Sequence, residues 1–294
     1  MRFRDFALLV AVCLTWGFSN VVSKIVVGQW QVPPLYFAGV RFAVVALVTL
    51  PWLWPMPRPA WRLLLVAILM GAGNFALLFV GLQTASPSMA AVVIQAGVPI
   101  TTLLSIVMLG ERIRWRRGLG IALTLAGVVL VVWRPGFTVS AGLLFVLGAA
   151  AAGSLGAILM KQMARIDPLR FQAWVGMTAV VPLALASLLV ERGQWQASVA
   201  AGWPFVAAVL FSALIVSVCA HTAYYWLIAR YEANLLAPLT LMTPLSTIAL
   251  GVMITGDRLD ARMIAGATLA LLGVLVIALR RSAAPIAETQ EHVA

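Results

Sequence analysis

The chain has 294 residues, 63% of them hydrophobic and 10% charged, with a mean hydropathy of +1.03 and a formal net charge of +11. A soluble domain is about 45–50% apolar and about 25% charged, so this chain lacks the ionic residues for a hydrated shell, and lipid must supply its outer surface. The basic residues sit between apolar runs instead of on one folded face, which excludes a nucleic-acid partner, and Cys13 and Cys219 offer neither a disulfide framework nor metal-ligand spacing, so no cofactor is expected.

Crossing a hydrocarbon core of about 30 Å takes about 20 apolar residues in a helix, because only a helix satisfies its own backbone groups in lipid. Runs of that length fall at 6–27, 34–54, 62–82, 88–109, 115–133, 141–161, 168–190, 204–228, 234–255 and 262–280. The first exceeds a signal-peptide core and lacks an A-x-A site after it, so it is read as a retained helix. Residues 282–294 form a polar tail expected to be disordered. The expected fold is therefore an all-α membrane protein of ten transmembrane helices. With the N-terminus inside, fourteen of the twenty basic residues fall on the inner side and four (Arg134, Arg192, Arg258 and Arg262) outside, which puts both termini in the cytoplasm.

In the first span Trp16, Asn20, Ser23 and Lys24 recur at helical spacing and form one polar face, and polar groups in lipid belong at the bundle interior. Arg41, in the second span, is read as structural, near the outer interface on a peripheral helix. Pro99 interrupts span four, and Pro238 and Pro244 interrupt span nine; broken helices free backbone groups to line a path, although a simple kink gives the same sequence. Gly148, Ala152 and Gly156 in span six make a close-packing stripe. Lys161 ends that span as Lys24 ends the first; each ammonium either draws a carboxylate to one mouth or snorkels to headgroups, and Lys24 leans to the first because it shares the polar face. In span eight Ser217, His221, Tyr224, Tyr225 and Ile228 share a face suited to an amphipathic solute. His221 could relay protons, but a lone membrane histidine more often serves as a hydrogen-bonding residue.

The segment Gly110-Glu111-Arg112-Ile113 recurs as Gly256-Asp257-Arg258-Leu259. From each acid a glycine follows at nine positions (Gly120, Gly266) and another at sixteen (Gly127, Gly273), and a proline precedes it by twelve residues in one copy and thirteen in the other. The chain reads as two related halves, 1–135 and 136–281. Five spans per half is an odd number, so the second half enters the membrane in the opposite sense to the first, an inverted repeat around a central cavity.

These two loops, Trp16-Gly17 followed by Lys24, the stretch from Pro34 to Arg41-Phe42 and the ten-span layout together resemble the EamA-type branch of the drug/metabolite transporter superfamily, from about residue 6 to 281. Within it the chain is most similar to amino-acid exporters, including aromatic amino-acid exporters. The resemblance implies a bacterial inner-membrane protein with a 5+5 inverted bundle, in which spans one, three, four, six, eight and nine line the path. It adds Asn74, Phe75, Gln95 and Thr240 to the substrate-binding set. All nine acidic residues fall in loops, span ends or tails, which argues against a cation antiporter, an intramembrane enzyme and carboxylate-based proton coupling. The expected activity is export of small zwitterions, neutral or aromatic amino acids, by alternating access and without an enzymatic step. A single cavity cation, Lys24, suits a carboxylate; nucleotide- or sugar-related and drug-like solutes, or a receptor or assembly role without flux, are the alternatives. Oligomeric state, direction and coupling ion stay open.

Overall fold

A computed structural model describes residues 1–110, 115–132, 140–163, 166–231, 236 and 239–278, with the side chains of 117, 161, 225, 228 and 229 left out of that description. Among the described residues the chain is helical and contains no strand. Eight helices are long and apolar enough to cross a membrane, and two shorter apolar ones accompany them. In chain order these are α1 (Phe3–Gln29), α2 (Pro34–Leu53), α3 (Ala60–Thr84), α4 (Pro87–Leu109), α5 (Trp115–Val132), α6 (Ala141–Lys161), α7 (Pro168–Val190), α8 (Trp203–Arg230), α9 (Met242–Thr255) and α10 (Ala261–Ala278). A short helix, Gln194–Ala201, buries no residue and lies between α7 and α8.

The outward faces are apolar, as lipid requires: Leu47, Val107, Leu189 and Met253 are 72%, 82%, 80% and 79% exposed. Exposed tryptophans stand at helix ends, Trp52, Trp54, Trp61 and Trp115 among them and Trp195 and Trp203 elsewhere, the position such rings favour at membrane–water interfaces.

The helices pack mainly in pairs. α1 packs on α8 and α9, and α6, five helices later, packs on α3 and α4; α2 pairs with α7, and α5 with α10. The α5–α10 crossing uses the four repeat glycines. A Cβ at Gly120 would lie 2.8 Å from Gly273 O, and one at Gly127 would lie 2.5 Å from Gly266 O. The early glycine of one helix thus meets the late glycine of the other, so the two run antiparallel with their backbones in contact. α2 and α7 are antiparallel too, Gly39 lying against Leu183 and Gly176 against Val45. The stripe of small residues in α6 packs on α3, as expected: Gly148 meets Leu77, Ala152 lies against Gly73 and Gly156 meets Met70.

Gly110 and Gly256, which open the two Gly-acid-Arg segments, have φ of +66° and +68° and end α4 and α9 in the left-handed conformation. A side chain is strained there, which accounts for glycine in both copies. Four of the five described acids serve helix starts. Asp167 accepts from Arg170 N, Asp260 from Met263 N, and Asp257 from Ser88 N at the first turn of α4. Glu191, at the end of α7, takes Leu35 N and Tyr36 N with its two oxygens and so caps α2; Asp5 accepts from the Tyr231 hydroxyl. Such caps satisfy N–H groups that have no intrahelical partner.

Candidate functional site

Two helices widen before the polar residue each delivers. α3 passes through a π-turn at Leu69–Gly73 and resumes as α-helix at Asn74; α8 does so over Phe211–Ala220 and resumes at His221. In α8 the side chains take up carbonyls five residues back: Ser217 Oγ donates to Ser212 O at 3.1 Å, and His221 Nδ1 lies 2.7 Å from Val216 O. A carbonyl only accepts, so Nδ1 carries the proton of that bond. On α3, Asn74 Nδ2 donates to Ala149 O at 2.7 Å, which fixes the amide against α6 and leaves its carbonyl oxygen to accept. π-turns of this kind re-aim side chains and recur at functional positions.

Between these helices lies a hollow of about 150 Å3, lined by Met70, Asn74 and Phe75 of α3, Gly153 of α6, Phe171, Gln172 and Val175 of α7, and His221 of α8. Of the residues predicted from sequence, Asn74, Phe75 and His221 meet here. Trp16 stands against His221 and Tyr224, with ring centroids 5.1 Å and 4.9 Å apart, and extends the aromatic wall onto α1.

The rest of the α1 stripe does not stay together. Asn20 Nδ2 donates to Thr247 Oγ1 of α9 at 3.3 Å, and Lys24 Nζ donates to Gln83 O at the end of α3 at 3.1 Å. One helical face here touches three helices, because α1 is packed on several sides. Lys24 is therefore a neighbour of the α3–α4 turn, whose other side is held by Asp257. Gln95 occupies a tight 3-10 turn, Ile94–Ala96, in the middle of α4. It stands four residues before Pro99, and a proline has no N–H for the carbonyl four positions back, so the turn tightens there. Thr240 holds the same relation to Pro244, and its carbonyl accepts instead from Thr243 N at 2.9 Å. Pro238 and the side chains of Tyr225, Ile228 and Lys161 lie outside the described residues.

Two groups outside the predicted site set stand at or beside the hollow. Arg41 is buried in the bundle instead of lying on a peripheral face: it is 0% exposed, with Nε and Nη2 donating to Ser217 Oγ at 3.0 and 2.9 Å. Its Cζ stands 4.3 Å from the Phe75 ring centre, with Phe42 and Phe79 at 5.7 and 5.8 Å, and its Nη1 is buried without a hydrogen bond. The single-cation view of the interior is thereby corrected, and Ser217 serves Arg41. Gln172, 5% exposed, brings α7 into the lining, a helix outside the path that the resemblance implied. A polar side chain inside an apolar run was its available signal.

The sequence profile of the EamA-like transporter family matches residues 5–133 and, a second time, 140–279. The chain belongs to the EamA-like transporter family. Among relatives of this transporter, a probable amino-acid metabolite efflux pump of Salmonella typhimurium is 27% identical over 286 residues, covering 94% of this chain and 95% of that one. Its namesake in Escherichia coli K12 is 26% identical with the same coverage. The inner membrane transporter YedA of Escherichia coli K12 is 28% identical over 273 residues, 88% of this chain and 87% of its own. A crystal structure 21% identical in sequence superposes with a TM-score of 0.65 over 94% of this chain and 96% of that one, which shows a shared fold. This EamA-like transporter is thus a multi-pass protein of the bacterial inner membrane.

Proposed function

We propose that this transporter exports small zwitterionic metabolites, neutral or aromatic amino acids, by alternating access between two five-helix halves, 1–135 and 136–281, threaded through the membrane in opposite senses with both termini in the cytoplasm. The observation that carries the substrate class is the lining of the hollow: Asn74, Gln172 and His221 offer hydrogen bonds beside the aromatic ring of Phe75, with Trp16 packed against His221 at its edge. Two relatives of similar length are named as amino-acid metabolite efflux pumps, which favours the same class here. The opposed threading is favoured by the antiparallel pairing of α5 with α10 and of α2 with α7, each helix with its own repeat counterpart. Every described acid is committed at a helix start or to Tyr231, so transport runs down the solute gradient without a carboxylate relay.

One mouth is held by a clasp. In this state Lys24 holds the last turn of α3 and Asp257 caps α4, so α1 and α9 together grip the α3–α4 turn. In the sequence repeat Lys161 and Glu111 stand where Lys24 and Asp257 do, and the same gating role is assigned to them at the other mouth. The tightened turn before Pro99 in α4 and Pro244 in the first turn of α9 let these helices bend as the two mouths exchange.

Counterflow in proteoliposomes, with a panel of amino acids, nucleosides and sugars and with and without a pH gradient, tests this reading. Uptake of labelled neutral or aromatic amino acids is expected in both conditions. Uptake of none of them overturns the substrate class, and strict dependence on the pH gradient overturns the uncoupled mechanism.

A further inference from the structure

We infer that Arg41 sets the charge selectivity of the hollow, acting as a positioning residue that holds the site positive and so demands a carboxylate on the solute. The inference rests on the hollow's being the transport site. Its foundation is an unbalanced charge. The guanidinium is wholly buried, and among the described residues its hydrogen bonds go to one neutral hydroxyl, Ser217 Oγ, while Nη1 has no partner. The described carboxylates are engaged elsewhere, at the starts of α2, α4, α7 and α10 and with Tyr231. A buried cation without a counter-anion is costly, and aromatic faces offset only part of that cost.

The place of the charge gives it a use. Phe75 is both the ring on which the guanidinium rests, 4.3 Å from its centre, and part of the wall of the hollow. Ser217 stands one turn before His221, which is in the same wall. The cation therefore lies one aromatic ring behind the site, and across so little low-dielectric material its field reaches the hollow weakly screened. A solute carboxylate entering there supplies the missing anion, whereas a net cation is repelled. The ammonium of a zwitterion then turns away, toward the Asn74 carbonyl oxygen that its own bond to Ala149 leaves open.

The test is competition in proteoliposome counterflow of a labelled neutral amino acid, using unlabelled analogues that share its side chain: the free acid, the amide, and the amine lacking the carboxylate. In the wild-type protein the acid is expected to compete about tenfold better than the amide or amine, the scale of a charge interaction at partial screening. Arg41→Met is expected to erase that preference, and Arg41→Lys to keep part of it. A packing role for Arg41 would lower all three competitors alike and leave their ratio unchanged. Equal competition by acid and amide in the wild type overturns the inference without any variant, so a poorly folding Arg41→Met does not shield it. An unchanged ratio in a folded Arg41→Met overturns it as well. In either case counterflow of amino acids persists and the proposed substrate class stands; absence of all amino-acid counterflow defeats that class first, and the inference with it.

Discussion

Replacing Gly127 by alanine places a methyl group where α5 and α10 touch through their backbones. The new Cβ would lie 2.5 Å from Gly266 O, against an ordinary contact of 3.4–4 Å, so the helices must part by about 1 Å along the crossing. The obstacle is backbone, which cannot rotate aside. A gap of 0.5–1 Å forfeits roughly a quarter to a half of each dispersion contact that spans it, and overpacking of this kind costs about 1–3 kcal/mol. For about 2 kcal/mol the midpoint of thermal unfolding falls by roughly 4–8 °C. Heating the detergent-purified protein and reading the surviving monodisperse fraction by size exclusion measures that fall. Gly118→Ala is the control, because a Cβ there meets nothing within 4 Å and alanine favours helix. Equal midpoints for the two variants would refute the idea that the glycine crossing is a tight seam.

Gly153→Leu puts a side chain into the hollow beside Asn74, and flux is expected to fall to background while membrane expression is kept; normal flux would move the transport site elsewhere. Asp257→Ala removes the acceptor that caps α4, a loss of about 1 kcal/mol and so roughly fivefold in the closed-to-open ratio. Labelling of an introduced Asn20→Cys by an impermeant maleimide, in a Cys13→Ser, Cys219→Ser background, should quicken by that factor, and an unchanged rate counts against the clasp. Trp16→Ala is expected to raise the KM for aromatic amino acids severalfold and Trp16→Phe to restore most of it, since the ring against His221 and Tyr224 is what is lost. Identical KM values for wild type and Trp16→Ala would remove that ring from the site.

The helices were legible because each property that defines them is local. Apolar runs of spanning length, the left-handed glycines at 110 and 256 and the glycine spacing of α5 and α10 all follow from a short stretch of chain. Asn74, Phe75 and His221 were found through the family layout and the rarity of polar groups in lipid. Arg41 was not, because its meaning lies in a bond to Ser217, 176 positions away. An arginine in the first half of an apolar run reads equally well as a snorkelling cation, and only packing separates the two. The π-turns of α3 and α8 escaped for a similar reason. Whether a carbonyl bonds four or five residues on is decided by neighbours such as Ser217 and His221, which compete for it once the helices are assembled.

The α5–α10 crossing has the form of a two-fold contact, in which the same patch serves on both partners. Gly120 meets Gly273 as Gly266 meets Gly127, the arrangement a homodimer would use. Because each glycine pair mirrors the other, α5 and α10 are pinned at two matched points, and a side chain added at either one levers the helices apart at both.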